Sequence, residues 1–160
     1  MKKLLVVVAI VALLGQNTAL AGVVAGVLGN NDVLQVRVGV RPLERTEAGL
    51  FGGYGDDNNV ISSGVYGTYD LVEAQEFKIG GFVVPVTWYV GGFLGLADEE
   101  EFEDFDETEV MASALSGLYF GDDKITLGVE YQYGFDDGLW SELGKVPDQH
   151  EVLFNVKWRF

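Results

Sequence analysis

A strict alternation of apolar and polar residues at the end of the chain constrains its fold more than any other feature. In HEVLFNVKWRF, residues 150–160, every second residue from Val152 to Phe160 is apolar, and the residues between them are polar except Leu153. A period of two puts these two sets on opposite faces of a β-strand. The apolar face consists of Val152, Phe154, Val156, Trp158 and Phe160. The segment is therefore predicted to be a strand that meets a different environment on each face.

Other segments repeat this period and are separated by turn-forming residues. VLQVRVGVR and ITLGVEYQY alternate in the same way, while NND, GDDNN and GDDK favour turns. We expect eight strands, at about 22–29, 33–42, 47–54, 60–71, 82–96, 109–120, 124–134 and 150–160. A second layout treats 22–32 as a leader and divides 76–97 into two strands at Pro85, which also gives eight.

One apolar stretch tests this all-β interpretation. Residues 79–97, IGGFVVPVTWYVGGFLGLA, carry no charge and are long enough for a transmembrane helix. Pro85, the five glycines and the many β-branched and aromatic residues favour a strand instead.

The N-terminal residues have the pattern of a secretory signal peptide. Lys2 and Lys3 precede an apolar run, and Ala19-Leu20-Ala21 has the small-residue spacing of a cleavage site. We expect a signal peptide at 1–21 and one exported domain at 22–160. The chain has no cysteine, so this domain is held together without disulfides.

The charge balance limits the partners. Loss of Lys2 and Lys3 with the leader takes the net charge from −15 to −17. Nucleic acid is therefore excluded as a partner, because phosphate contacts dominate that affinity.

The final residues also resemble a known assembly signal. A terminal Phe160 preceded by apolar residues at every second position is similar to the C-terminal signal of Gram-negative outer-membrane β-barrel proteins. The chain resembles the small eight-stranded barrels of the OmpA transmembrane domain and OmpX type, which are porin-like. This resemblance implies an eight-stranded antiparallel transmembrane up-and-down barrel with both termini in the periplasm. It also implies membrane lipid, lipopolysaccharide and the barrel-assembly machinery as partners, and a monomer.

In such a barrel the polar strand faces line the lumen. Arg37, Glu130 and Lys157 are predicted to point inward and form ion pairs, with Glu130 contacting Lys157 across adjacent strands. A lumen plugged by ion pairs is favoured over a narrow channel. Aromatic residues near strand ends are predicted to form interfacial girdles: Tyr54, Trp88, Tyr89, Tyr119, Tyr133 and Trp158.

An acidic run is the most unusual feature of the sequence. ADEEEFEDFDETE has nine carboxylates within residues 98–109. They include Asp98, Glu99, Glu100, Glu101, Glu103, Asp104, Asp106 and Glu107. A solvated charged loop is the simpler interpretation, and the alternative is a divalent-cation site, although the run lacks the spacing of an EF-hand.

His150 is the single histidine and the main candidate for catalysis. Some outer-membrane barrels modify lipid A with a histidine, a serine and a carboxylate, for which Ser141 and Glu151 are the nearest residues. Glu151 is adjacent to His150 on a strand and therefore points to the opposite face. We expect a structural, surface-interaction or envelope-maintenance role without catalysis or cofactor. The alternatives are a lipid-A-modifying enzyme, a narrow channel and a soluble lipocalin-like carrier.

Overall fold

The protein is an eight-stranded, closed, antiparallel β-barrel in which each strand pairs with its sequence neighbours and β1 pairs with β8. The computed structural model describes residues 22–55, 60–99, 109–121, 124–134 and 150–160. The strands are β1 (Val23–Gly29), β2 (Val33–Leu43), β3 (Thr46–Gly55), β4 (Val60–Ile79), β5 (Phe82–Glu99), β6 (Glu109–Gly121), β7 (Ile125–Gly134) and β8 (His150–Arg159). The described residues contain no helix of the length and apolar character needed to cross a membrane.

The first strand layout is confirmed and the second is wrong. Residues 23–29 pair with both β2 and β8, so they close the barrel and are not a leader. Pro85 lies inside β5 and does not divide it. The helix considered for 79–97 is also absent, because a Gly80–Gly81 turn with φ of +57° and +90° opens this segment and a strand follows.

The main departure from the predicted boundaries is the length of β4. It was expected to end near Leu71, where charged residues interrupt the alternation, but it continues to Ile79. Two shifts in the β4–β5 register, between Asp70 and Val72 and between Val72 and Gln75, absorb the irregular residues. Pairing therefore continues through bulges that a strict period of two does not reveal.

The register fixes the tilt of the strands. Following paired residues from Val23 around the barrel leads through Ala48 and Ala114 to His150, whereas Val23 itself is hydrogen-bonded to Phe160. The stagger between His150 and Phe160 is ten residues. With eight strands, this stagger corresponds to a tilt of about 40° and a rise of about 2.5 Å per residue along the barrel axis.

The start of β1 and the end of β8 lie at the same rim of the barrel. Gly22 donates its N–H to the Phe160 carbonyl at 3.0 Å, and Phe160 donates to the Val23 carbonyl at 2.9 Å. We call this end the terminus rim and the opposite end, which includes Asn30 and His150, the far rim.

The outer surface of the barrel is largely apolar, whereas its interior combines charged side chains with a buried apolar and aromatic cluster that includes Phe51, Phe93, Met111 and Leu115. Among the described residues, 22 large apolar or aromatic side chains are exposed, including Leu50 (66 %) and Phe154 (67 %). The buried side chains include charged residues, of which Glu130 is completely inaccessible. A lipocalin-like carrier meets water on its outside, so the exposed apolar outer surface, rather than the interior, weighs against that alternative.

Inward-facing glycines make room for the aromatic rings that fill the lumen. A Cβ on Gly117 would lie 2.5 Å from Cζ of Tyr89, and a Cβ on Gly128 would lie 2.8 Å from Cδ1 of Tyr119. The two tyrosine rings stack with centroids 4.2 Å apart. The glycine-rich strands therefore reflect the width of the lumen, because an eight-stranded barrel has space for side chains and little more.

Candidate functional site

The strongest concentration of polar contacts lies inside the barrel around Glu130. Oε2 accepts hydrogen bonds from Arg37 Nη1 at 2.8 Å and from the Tyr89 hydroxyl at 2.7 Å. Oε1 accepts from Arg37 Nη2 and from Gln132 Nε2, both at 2.7 Å. Gln35 accepts from Arg37 Nη2 at 3.1 Å. A buried carboxylate with this many donors is fully paired, as burial of a charge requires.

A second buried ion pair lies nearer the terminus rim. Lys157 Nζ lies 2.8 Å from Glu47 Oε2, and the Tyr66 hydroxyl donates to Glu47 Oε1 at 2.8 Å. The Lys157 ammonium also lies 3.7 Å from the centroid of the Tyr119 ring. A cation over an aromatic face is stabilised by the ring quadrupole, and more strongly where water is excluded.

Aromatic side chains connect the two ion pairs. The Arg37 guanidinium lies 5.1 Å from the Tyr66 centroid, and Tyr66 donates to Glu47. Tyr89 donates to Glu130 and stacks on Tyr119, which faces Lys157. The lumen therefore contains one continuous network of two cations, two carboxylates and three tyrosines.

A third ion pair lies at the terminus rim. Arg41 Nη2 lies 2.6 Å from Asp70 Oδ2 and also contacts the carbonyl of Glu44 in the β2–β3 turn. The Asp70 N–H donates to the Arg45 carbonyl at 2.8 Å. These contacts tie the end of the β3–β4 pairing to the turn beside it.

The register corrects the expected Glu130–Lys157 contact. Glu130 lies opposite Leu153 and Lys157 lies opposite Thr126, so the two charges are at different heights on the β7–β8 pair. Glu130 pairs with Arg37 and Lys157 pairs with Glu47, each across the lumen. Each cation therefore pairs with a carboxylate on a strand that is not its neighbour.

The sequence interpretation missed Glu47, Asp70 and the tyrosines of the lumen. Glu47 shares its face of β3 with Phe51, and Asp70 shares its face of β4 with Tyr66, so period-two counting places both inward once the register is known. Tyr89 and Tyr119 were expected in an interfacial girdle, but they are 0 % and 4 % exposed in the lumen. The sequence interpretation placed two cations inward, Arg37 and Lys157, against one carboxylate, Glu130. This imbalance was the available signal that a second carboxylate faces the lumen.

The network leaves little free volume in the part of the lumen that it occupies. A cavity of about 10 Å³ is lined by side chains that include Arg37, Glu47, Tyr119, Asn155 and Lys157. Such a volume accommodates roughly one water molecule. This part of the lumen is thus filled by paired charges and aromatic rings.

His150 lies on the outward face at the far rim. Its Nδ1 contacts the Tyr131 hydroxyl, and its ring centroid lies 5.1 Å from that of Tyr133. Tyr133 is directly opposite His150 on β7. Glu151 takes the inward face, as expected, and Ser141 lies outside the described residues.

The residues of the C-terminal pattern line the outward face of β8. Val152, Phe154 and Phe160 are exposed by 51 %, 67 % and 39 %, whereas Val156 and Trp158 are half-buried against neighbouring side chains. One strand thus presents apolar side chains from the far rim to the terminus rim.

The acidic run falls almost entirely outside the described residues. Asp98 and Glu99 end β5 and Glu109 begins β6, while 100–108 are not described. Within the described ranges, no group of three or more His, Cys, Asp or Glu residues is arranged to hold a metal ion.

The chain matches no protein-family model, no curated protein and no solved structure. Its eight-stranded closed antiparallel barrel is the architecture that the OmpA and OmpX resemblance implies.

Proposed function

We propose that the protein is an integral outer-membrane β-barrel protein with a structural, surface-interaction or envelope-maintenance role and no catalytic activity. Residues 1–21 act as a cleaved export signal, and lipid surrounds the barrel of residues 22–160. Both termini are in the periplasm. The apolar outer surface of the barrel carries this proposal.

The outward apolar surface is too large for a soluble monomer. Val83 shares its side of β5 with the inward-facing Tyr89 and is left out. The other 21 exposed apolar and aromatic residues, at on the order of 150 Å² each and about half exposed, present on the order of 1,500 Å². The largest apolar patch of a typical soluble monomer covers about 300–600 Å². Lipid is the solvent that makes such a surface favourable, and the closed ladder satisfies the requirement that no backbone group remain unpaired within it.

The height of this surface also suits a bilayer. The outward apolar residues of β8 run from Val152 to Phe160, and eight residues at about 2.5 Å of axial rise give about 20 Å, with His150 about 5 Å beyond them. The apolar band of outer-membrane barrels is about 25 Å tall. We call this band the apolar belt.

The filled lumen supports a structural role over transport. Arg37, Glu47, Glu130 and Lys157 are each at most 7 % exposed and are paired within the network. The function therefore resides in the outer surface, the rims and the loops.

A pair of substitutions distinguishes a barrel surrounded by lipid from one surrounded by water. Leu50 and Leu43 are equally exposed, at 66 % and 68 %, but Leu50 lies in the middle of β3 and Leu43 ends β2 at the terminus rim. In a membrane, arginine costs about 2–4 kcal/mol at the midplane and about 0–1 kcal/mol near the interface. We expect Leu50→Arg to lower the unfolding free energy in phosphatidylcholine vesicles and Leu43→Arg to leave it nearly unchanged.

The first measurement is gel migration of the outer-membrane fraction in SDS with and without boiling. A closed barrel is expected to resist SDS until heated and then to change its apparent mass. Recovery in the soluble periplasm, with equal effects of Leu50→Arg and Leu43→Arg, would contradict the proposal.

The contact of His150 with Tyr131 motivates one alternative, a lipid-A-modifying enzyme. An outward-facing imidazole at the far rim would lie at the level of lipid headgroups. Altered lipid A masses on expression of the wild-type protein, abolished by His150→Ala, would establish this activity. Unchanged masses would remove it.

A further inference from the structure

The β4–β5 hairpin extends past the strands on either side of it. β3 pairs with β4 only as far as Tyr69, and β6 pairs with β5 only from Val86 onward. Five consecutive pairs, from Gln75–Val86 to Ile79–Phe82, continue the hairpin past these points, and Val86 is the last of these residues that also pairs with β6. We call residues 71–86 the β4–β5 ribbon; its paired part is about 17 Å long and projects from the terminus rim.

Two bulges separate the β4–β5 ribbon from the barrel wall. Both register shifts lie between Asp70 and Gln75, and Ala74 has φ of +38°. The Ala74 N–H donates to Thr87 Oγ1 at 3.2 Å. Bulges bend the strand that carries them and increase its twist, so the ribbon does not simply continue the line of the barrel wall.

The outward face of the β4–β5 ribbon is mostly apolar and its opposite face is mixed. Phe77, Phe82, Val84 and Val86 share the outward face, because paired residues point the same way and alternate residues along β5 share a side. Gln75, opposite Val86, is the polar residue of this face. Phe82 is 77 % exposed, the most exposed of the large apolar side chains that the structure describes. The opposite face includes Glu76, Lys78, Val83 and Pro85.

This apolar face is continuous with the apolar belt. β5 pairs with β6 without a register shift, so Val86 and Trp88 lie on one outward face that passes from ribbon to barrel. Trp88 is 47 % exposed and donates its indole N–H to Ser116 Oγ at 3.0 Å. Because this apolar surface continues from the apolar belt past the rim, it is suited to contact with lipid, as the belt is.

We propose that the β4–β5 ribbon lies on the membrane leaflet at the terminus rim and inserts Phe77 and Phe82 among the phospholipids. This inference rests on the proposed membrane location of the barrel. A partner strand is a less suitable occupant of the β5 edge of the ribbon, because Pro85 has no N–H to donate and prolines protect sheet edges from added strands. The ribbon would fix the depth and tilt of the barrel relative to this leaflet.

Single cysteines test the contact directly, because the native chain has none. The full mature chain is reconstituted in phosphatidylcholine vesicles as Phe82→Cys, Val83→Cys or Leu50→Cys, each labelled with an environment-sensitive fluorophore. Val83 is the matched control, since it is 51 % exposed on the opposite ribbon face. Leu50 reports on the belt independently of the ribbon.

We expect blue-shifted emission at positions 82 and 50, with strong quenching by brominated phosphatidylcholine and weak quenching by aqueous iodide. Position 83 is expected to show the reverse. Lipid quenching at 50 with iodide quenching at 82 would overturn the ribbon contact and leave the barrel proposal intact. Protection of 82 from both quenchers would overturn it in favour of contact between copies, and lipid quenching at both 82 and 83 would refute a one-faced contact. Iodide quenching at 50 would overturn the membrane location itself.

Discussion

Replacement of Glu130 tests whether the lumen network stabilises the barrel as a buried, dry structure. Its carboxylate accepts four hydrogen bonds of 2.7–2.8 Å, two of them from Arg37. Glu130→Ala would leave the Arg37 guanidinium buried without its counter-charge. Breaking a buried pair in this way costs about 3–5 kcal/mol, a large part of the roughly 5–15 kcal/mol that stabilises an ordinary domain.

The measurement is urea unfolding of the mature chain in phosphatidylcholine vesicles, followed by tryptophan emission and by gel mobility. Glu44→Ala is the matched control, because Glu44 is an exposed glutamate in the β2–β3 turn. We expect its midpoint to stay within error of the wild type while that of Glu130→Ala falls.

A double variant identifies the cause of the loss. Arg37→Met combined with Glu130→Ala removes both charges, and replacing a buried pair with apolar groups is often neutral. We therefore expect the double variant to be more stable than Glu130→Ala alone. If Glu130→Ala costs less than about 1 kcal/mol, as an exposed pair would, the lumen is hydrated and the reasoning fails.

Three further outcomes are expected. Gly117→Ala would place a Cβ 2.5 Å from the Tyr89 ring and lower the unfolding free energy by about 1–3 kcal/mol. Gly67→Ala is the control and should be tolerated, because its Cβ would meet only a backbone oxygen at 3.8 Å. Equal urea midpoints for the two variants would contradict this packing. Deleting Phe160 would remove two backbone hydrogen bonds between β1 and β8 and reduce the heat-shifted outer-membrane band. Phe160→Ala retains those hydrogen bonds, so an equal reduction of the band in this variant would assign the effect to the aromatic ring. Calorimetry tests the acidic run: calcium binding by the native chain that is lost when 98–109 are replaced with Gly/Ser would identify a cation site there, and binding that is absent or unchanged would leave a solvated loop. The heat shift is expected to be the same in both proteins.

The candidate site was only partly predictable, and the reason lies in its geometry. Arg37, Glu130 and Lys157 were placed inward by counting residues along single strands. The pairing was not predicted, because Arg37 reaches across the lumen to Glu130 on β7 and Lys157 reaches to Glu47 on β3. Contacts between non-neighbouring strands depend on the stagger of the closed barrel, which no single strand encodes.

The sequence by itself determined the strand number, most strand boundaries and the face of each strand that is apolar, because side chains alternate with a period of two whatever the strand pairs with. The tertiary structure alone decided which charges meet, that Tyr89 and Tyr119 fill the lumen rather than a girdle, and that bulges carry β4 past the rim as a ribbon. Those features depend on closure and register, since a ten-residue stagger brings residues far apart in the chain to the same height within one narrow barrel.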